Sequence, residues 1–195
     1  LKVALVHDWL TGMRGGEKGL EVLCELFPDA DVYTLLHAKG KLSQNIESRS
    51  IRTSFVQHLP FGLKKYRHYL PLFPLAIEQF DLSAYDLIVS SSHCVAKGVR
   101  PNKSTYHISY VHTPMRYVWD QFNTYFRQPR TSWPVRIGAE LMRPYLQRWD
   151  RNTAKRVDTF LCNSNNIRKK ILEYYGRESQ VIYPPVDLSQ FKPGD

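Results

Sequence analysis

Short apolar runs recur along this chain with helix-spaced stretches between them, and that alternation limits the fold more sharply than any other feature. Lys2–His7 contains Val-Ala-Leu-Val, a run suited to a strand buried on both faces. Glu17–Phe27 follows with Leu20, Leu23, Cys24 and Phe27 at helical spacing, closed by Pro28. Val32–Leu36, Asp86–Ser91, Tyr106–His112, Thr159–Asn163 and Gln180–Tyr183 read as further short strands. Helical patterns separate several of them, notably Ser132–Ala154 and Asn165–Tyr175. Strands alternating with helices predict an α/β domain: one open, mainly parallel sheet with helices on both faces. A chain of 195 residues with 43% apolar content can bury such a core as one domain.

No apolar run approaches the roughly 20 residues that cross a bilayer; the longest, Leu70–Ile77, is broken by Pro71 and Pro74. No charged n-region followed by an apolar h-region opens the chain. Cys24, Cys94 and Cys162 are isolated, without metal-ligand or redox spacing, which fits a reducing, cytoplasmic compartment. The chain opens Leu-Lys without a methionine, as a trimmed start would.

Lys and Arg total 27 against 18 acids, a net charge of +9. The excess is uneven: residues 1–47 carry −2, residues 48–139 carry +8 and residues 140–195 carry +3. Such a field attracts anionic partners: nucleic acid, acidic headgroups or phosphorylated substrates. Nucleic acid drops out, since no helix-turn-helix, RRM or zinc pattern accompanies the charge. Two basic stretches are also aromatic. Ser54–Phe80 lacks any acid before Glu78, and Arg116–Arg136 sets Tyr117, Trp119, Phe122, Tyr125, Phe126 and Trp133 among arginines.

Four motifs bear on chemistry. Thr11-Gly12-Met13-Arg14-Gly15-Gly16-Glu17 lies between the first strand and first helix, where glycines admit a ligand to the backbone and helix N–H groups suit an anion. Its spacing matches neither the P-loop nor the dinucleotide fingerprint, which takes most of the weight from ATPase and dehydrogenase readings. Tyr110-Val111-His112-Thr113-Pro114 ends a strand, and open α/β sheets gather ligands at the carboxyl ends of their strands. His7 ends the first strand in the same way, beside Asp8, so both histidines are expected at one cleft. Ser90-Ser91-Ser92-His93 closes another strand. Without a Gly-x-Ser-x-Gly elbow its serines read as helix caps or polar ligand contacts rather than nucleophiles. Asp29-Ala30-Asp31 mimics the Asp-x-Asp that holds Mg²⁺ or Mn²⁺, but it falls at the amino edge of the sheet and reads as a solvated turn.

In order and spacing, His7-Asp8-Trp9-Leu10, Gly15-Gly16-Glu17, Tyr85–Ser92, Tyr110–Pro114, Cys162-Asn163-Ser164 and Val181–Asp187 resemble the N-terminal half of a family-4 glycosyltransferase. The nearest likeness is to bacterial mannosyltransferases of surface-polysaccharide synthesis. The resemblance implies one half of a GT-B fold, a Rossmann-like acceptor-side domain over residues 1–183. Residues 184–195 would begin the linker to a donor-binding domain. It implies a hexose, such as mannose from GDP-mannose, transferred with retention to a growing or lipid-linked glycan, with no metal or other cofactor. It assigns His112 to contact the transferred sugar as the catalytic residue. Gly15 and Gly16 would approach the donor's phosphates and the acceptor, with Glu17, Asp8 and Ser91 beside them. Much of the charge-stabilising set would lie in the other domain, so this chain alone is expected to be inactive. Membrane docking is implied as well. Lys64, Lys65 and Arg67, within Leu63–Ile77, are the expected contact with an anionic inner-membrane face. The alternative from another class is a non-catalytic binding module for acidic glycolipid or membrane.

Overall fold

The computed structural model describes residues 1–129 and 131–186. Seven strands run β1 (Val3–His7), β2 (Asp31–Thr34), β3 (Ile51–Thr53), β4 (Leu87–Ser92), β5 (Tyr106–Val111), β6 (Thr159–Cys162) and β7 (Gln180–Val181). Every pairing is parallel, in the order β3-β2-β1-β4-β5-β6-β7. The helices are α1 (Gly15–Leu26), α2 (Gln44–Glu47), α3 (Gly62–Lys65), α4 (Phe73–Glu78), α5 (Phe122–Phe126), α6 (Trp133–Thr153) and α7 (Asn165–Tyr175).

The expected α/β architecture is therefore present, with one added strand, four short added helices and several trimmed ends. β3 is the added strand: three residues, Ile-Arg-Thr, half exposed at the sheet edge, too short for its apolar pattern to stand out. Gly15 and Gly16 begin α1 rather than forming a loop ahead of it. β7 stops at Val181, and residues 182–186 have no regular structure. The expected linker lies outside the described residues from Asp187 onward.

Alternating side chains of the central strands explain why both faces are covered. Val3 and Leu5 of β1 join Val32 and Val89 in a core with Leu20 and Cys24 of α1 and Ile46 of α2. Ala4 and Val6 point the other way, into a larger core with Phe73, Ala76 and Ile77 of α4, Tyr66, Met115 and Leu146. A third core packs Ile167, Ile171 and Tyr175 of α7 on Phe160 and Cys162. Fully buried strands of this kind need covering on both sides, as parallel sheets do.

The chain winds from β1 to β3 in one direction, then crosses back to β4 on the other side of β1. This is the switch point of a doubly wound sheet, where the loops diverge and leave a crevice at the carboxyl ends. His7 ends β1, Ser92 ends β4, and His112 directly follows β5. Asp29 and Asp31 sit at the opposite edge, with Asp29 exposed and Asp31 accepting a hydrogen bond from the Tyr85 hydroxyl.

Candidate active site

A cleft of about 430 Å³ opens at this switch point, walled by the start of α1, the ends of β4 and β5, and residues from both basic aromatic stretches. A larger hollow of about 640 Å³ lies by Asp158, Thr159 and Gln180. That one is at the amino edge of β6 and β7, away from the switch point.

Register builds the centre of the cleft. β1 and β4 pair His7 with Ser91, and β4 and β5 pair Ser91 with Tyr110, two residues before His112. Ser91 Oγ consequently lies 3.1 Å from His7 Nδ1 and 2.8 Å from His112 Nε2. A hydroxyl has one proton, so Ser91 donates to one imidazole and accepts from the other. The helix-cap expectation for Ser91 is thereby corrected, while Ser92 Oγ does accept the Lys97 N–H at 3.3 Å.

His112 is held on three sides. Its N–H donates to the Ser92 carbonyl at 2.8 Å, its own carbonyl accepts from Asn163 Nδ2 at 3.0 Å, and its ring stands edge-on to Tyr110. With Nε2 on Ser91, Nδ1 has no partner among the described residues and is left for a ligand. Burial lowers the His112 pKa, so the ring is neutral at pH 7 and offers one donor or one acceptor.

Asp8 does not reach the cleft. It is fully buried, and its two oxygens accept the backbone N–H groups of His93, Cys94, Val95 and Ala96 at 2.5–2.9 Å. Its expected ligand role is corrected to one of positioning, because a carboxylate so saturated has no lone pair to spare. Asp8 also lies 3.1 Å from His93 Nδ1. His93, read beforehand only as the end of a serine tract, lines the cleft with its ring edge-on to Trp9. Burial pulls both His7 and His93 down to about 3, with the neighbouring histidines adding repulsion.

Helix α1 closes the other wall. A Cβ at Gly16 would stand 3.3 Å from His7 Cε1 and 3.9 Å from His112 Nε2, so glycine lets the helix start lie against both rings. The space over Gly15 is open. The Glu17 carboxylate accepts the Arg14 N–H at 3.2 Å, a return contact that fixes the first turn. Glu17 also lines the cleft, and burial raises its pKa. The free N–H groups and dipole of α1, with Arg14 and Arg116 on the rim, make a receptive place for an anion.

The expected membrane contact divides. Lys64 and Lys65 are exposed on α3, whereas Arg67 lines the cleft with Tyr117 and Tyr125. Arg67, expected at the membrane, and Arg116, not singled out, reach the cleft from the two basic aromatic stretches. Among the described residues, no set of three or more His, Cys, Asp or Glu converges as metal ligands, and no helix is long and apolar enough to cross a membrane. All three cysteines are buried and free.

Solved structures share this fold. HepE of Anabaena, in complex with UDP, superposes with a TM-score of 0.55 at 14% identity, covering 97% of this chain and 45% of that one. Its complex with UDP and glucose gives 0.54 at 16%, covering 98% and 46%. The apo form of WaaB, a lipopolysaccharide outer core galactosyltransferase, gives 0.50 at 14%, covering 96% and 47%. The chain thus spans about half the length of these enzymes. Among curated proteins no sequence matches it. The profile of Glycosyltransferase Family 4 matches residues 13–190, nearly the whole chain. The fold, the cleft at its switch point and this match agree: the chain belongs to Glycosyltransferase Family 4 and forms the N-terminal, Rossmann-like half of a GT-B fold.

Proposed function

We propose that the complete protein transfers a hexose, mannose from GDP-mannose, to a growing or lipid-linked glycan with retention of configuration and without a metal. This chain forms the acceptor-side wall of its cleft. The observation that carries the reading is His112: a neutral imidazole, oriented by Ser91, that lines the cleft beside a helix N-terminus, its Nδ1 without a partner among the described residues. There the ring can hydrogen-bond a sugar hydroxyl, while α1, Arg14 and Arg116 face the charge of a diphosphate. The UDP in HepE supports a nucleotide-sugar donor in this fold.

The test is to incubate the complete protein with GDP-mannose, UDP-glucose and UDP-galactose and an oligosaccharide or lipid-linked acceptor. Product is read by mass spectrometry and its anomeric configuration by NMR. Consumption of GDP-mannose with retention supports the proposal. Transfer from a UDP-sugar alone would replace the donor, inversion would remove the stereochemical claim, and no transfer from any of the three would overturn the reading.

Contact with an anionic inner-membrane surface is the second element. Lys64 and Lys65 sit beside the exposed Phe61 and Leu63, with Lys65 Nζ 5.4 Å from the Phe61 ring centroid. Basic and apolar groups together suit a headgroup layer. Salt-sensitive flotation with phosphatidylglycerol vesicles, lost on reversing both lysines to glutamate, is expected; unchanged flotation would remove this element. The cleft, with its neutral oriented histidine, favours an enzyme over a binding module alone.

A further inference from the structure

Three side chains lie in a row across the carboxyl edge of the sheet: His7 ends β1, Ser91 is in β4 and His112 follows β5. His7 Nδ1 stands 3.1 Å from Ser91 Oγ, and Ser91 Oγ stands 2.8 Å from His112 Nε2. His7 and Ser91 are buried, while His112 lines the cleft. Among the described residues Ser91 Oγ has no other hydrogen-bond partner. A hydroxyl gives its single proton to one ring and receives from the other, so the row runs in one of two senses. If both rings donated, the buried Ser91 proton would have no acceptor.

His7 decides the sense. Burial holds its pKa at about 3, so at pH 7 the ring is neutral and carries one N–H. Its Nε2 is buried without a hydrogen-bond partner among the described residues. A proton there would be a buried N–H with no acceptor, and a bare nitrogen is the lesser loss because orphaned buried N–H groups are the rarer kind. The helix beside it adds the same preference. Nε2 lies against the first turn of α1, 3.8 Å from where a Cβ on Gly16 would stand. The free N–H groups and positive end of that helix favour a lone pair over one more N–H. The acid of that turn, Glu17, accepts from the Arg14 N–H. The His7 proton therefore sits on Nδ1 and is donated to Ser91, which donates to His112 Nε2. His112 is left with its proton on Nδ1, the nitrogen that has no partner among the described residues.

We propose that Ser91, held by His7, fixes His112 in the tautomer protonated at Nδ1, so that His112 meets the sugar as a hydrogen-bond donor. Ser91 and His7 are positioning residues, since neither needs to touch the ligand. An imidazole free in water prefers the other tautomer, with its proton on Nε2, so the strand register supplies a preference that the side chain lacks. A protonated Nδ1 seeks the lone pair of a sugar oxygen, and has none of its own with which to take a proton from an acceptor hydroxyl. The proposal deepens the transferase reading, but only its kinetic arm rests on that reading.

The test labels the histidines of the complete protein with ¹⁵N and reads their ring nitrogens by long-range ¹H–¹⁵N correlation at pH 7. A nitrogen that bears a proton resonates far from one that does not, and His7→Asn and His112→Ala assign the signals. In the wild type both His7 and His112 are expected to carry the proton on Nδ1 and to show a bare Nε2. Ser91→Ala, with its folding checked by Tm, should release His112 to a mixture, its two nitrogens moving together in shift. Turnover of the nucleotide sugar by Ser91→Ala should fall about tenfold, the worth of one neutral hydrogen bond.

A wild-type His112 with its proton on Nε2 would overturn the proposal, and that result needs no variant to fold. A His112 still wholly protonated at Nδ1 in Ser91→Ala would overturn the positioning role. A released tautomer with unchanged turnover would overturn the donor role of His112. If the wild type consumes no sugar donor while both rings carry their protons on Nδ1, the transfer reading falls and the tautomer assignment stands.

Discussion

Two clusters of buried polar groups lie close together in this domain and are built to opposite ends. In one, Lys97 Nζ meets Asp150 Oδ1 at 2.8 Å, the Asp150 carbonyl at 2.6 Å and Thr153 Oγ1 at 3.0 Å. Trp119 and Tyr175 donate to the remaining oxygen of Asp150. That cluster is closed, and it ties α6 and α7 to the turn after β4. In the other, Asp8 is saturated but the histidines near it are not: His112 Nδ1 has no hydrogen-bond partner among the described residues, and neither has the buried His7 Nε2. Buried polar atoms that are all paired hold a fold. Those left unpaired beside an opening are what a ligand can use.

The sharpest way to break the comparison is at the closed cluster. Lys97→Met leaves the Asp150 charge uncompensated and should cost about 3–5 kcal/mol of unfolding free energy, read by denaturant titration. Asp8→Asn comes next. It turns an oxygen that accepts two N–H groups into a donor, and should cost about 1–3 kcal/mol while also loosening His93. Retained stability in either variant would show that the ionic contact it removes does not hold the fold.

A further effect is graded with pH rather than fixed by one contact. Burial holds His7 and His93 at about 3 and His107 at about 4, against 6.5 when unfolded. Below about pH 6.5 the unfolded chain binds protons that the folded chain refuses, so stability is complete above that pH and falls toward pH 3–4. Each such histidine contributes a slope of about 1.4 kcal/mol per pH unit in that window. Thermal unfolding measured from pH 7 to pH 4.5 should show a falling Tm; a flat profile would mean the histidines are already solvated.

Much of the fold was legible because buried parallel strands must be apolar on both faces: Val3–Val6 and Leu87–Val89 stand out in the text of the chain for that reason. β3 did not, since Arg52 sits in an edge strand with nothing to exclude it. At the site, His7 and His112 were marked by their places after apolar runs. Ser91 was singled out from its serine neighbours by the resemblance and not by its pattern, because only the register of β1, β4 and β5 puts its hydroxyl between two imidazoles. Asp8 misled for the converse reason: a polar residue at a strand end looks available until the four N–H groups that consume it are in place. Arg67 and Arg116, far apart in the chain, meet at one cleft only through the packing of the aromatic residues around them.

The difference between the open and closed clusters is tested most directly by His112→Ala in the complete protein, with turnover of the nucleotide sugar and Tm measured on the same sample. The account predicts a turnover loss of about 100-fold or more with an almost unchanged Tm, because the ring serves the cleft rather than the core. Near-normal turnover, or a collapse in Tm that accompanies the loss, would contradict it.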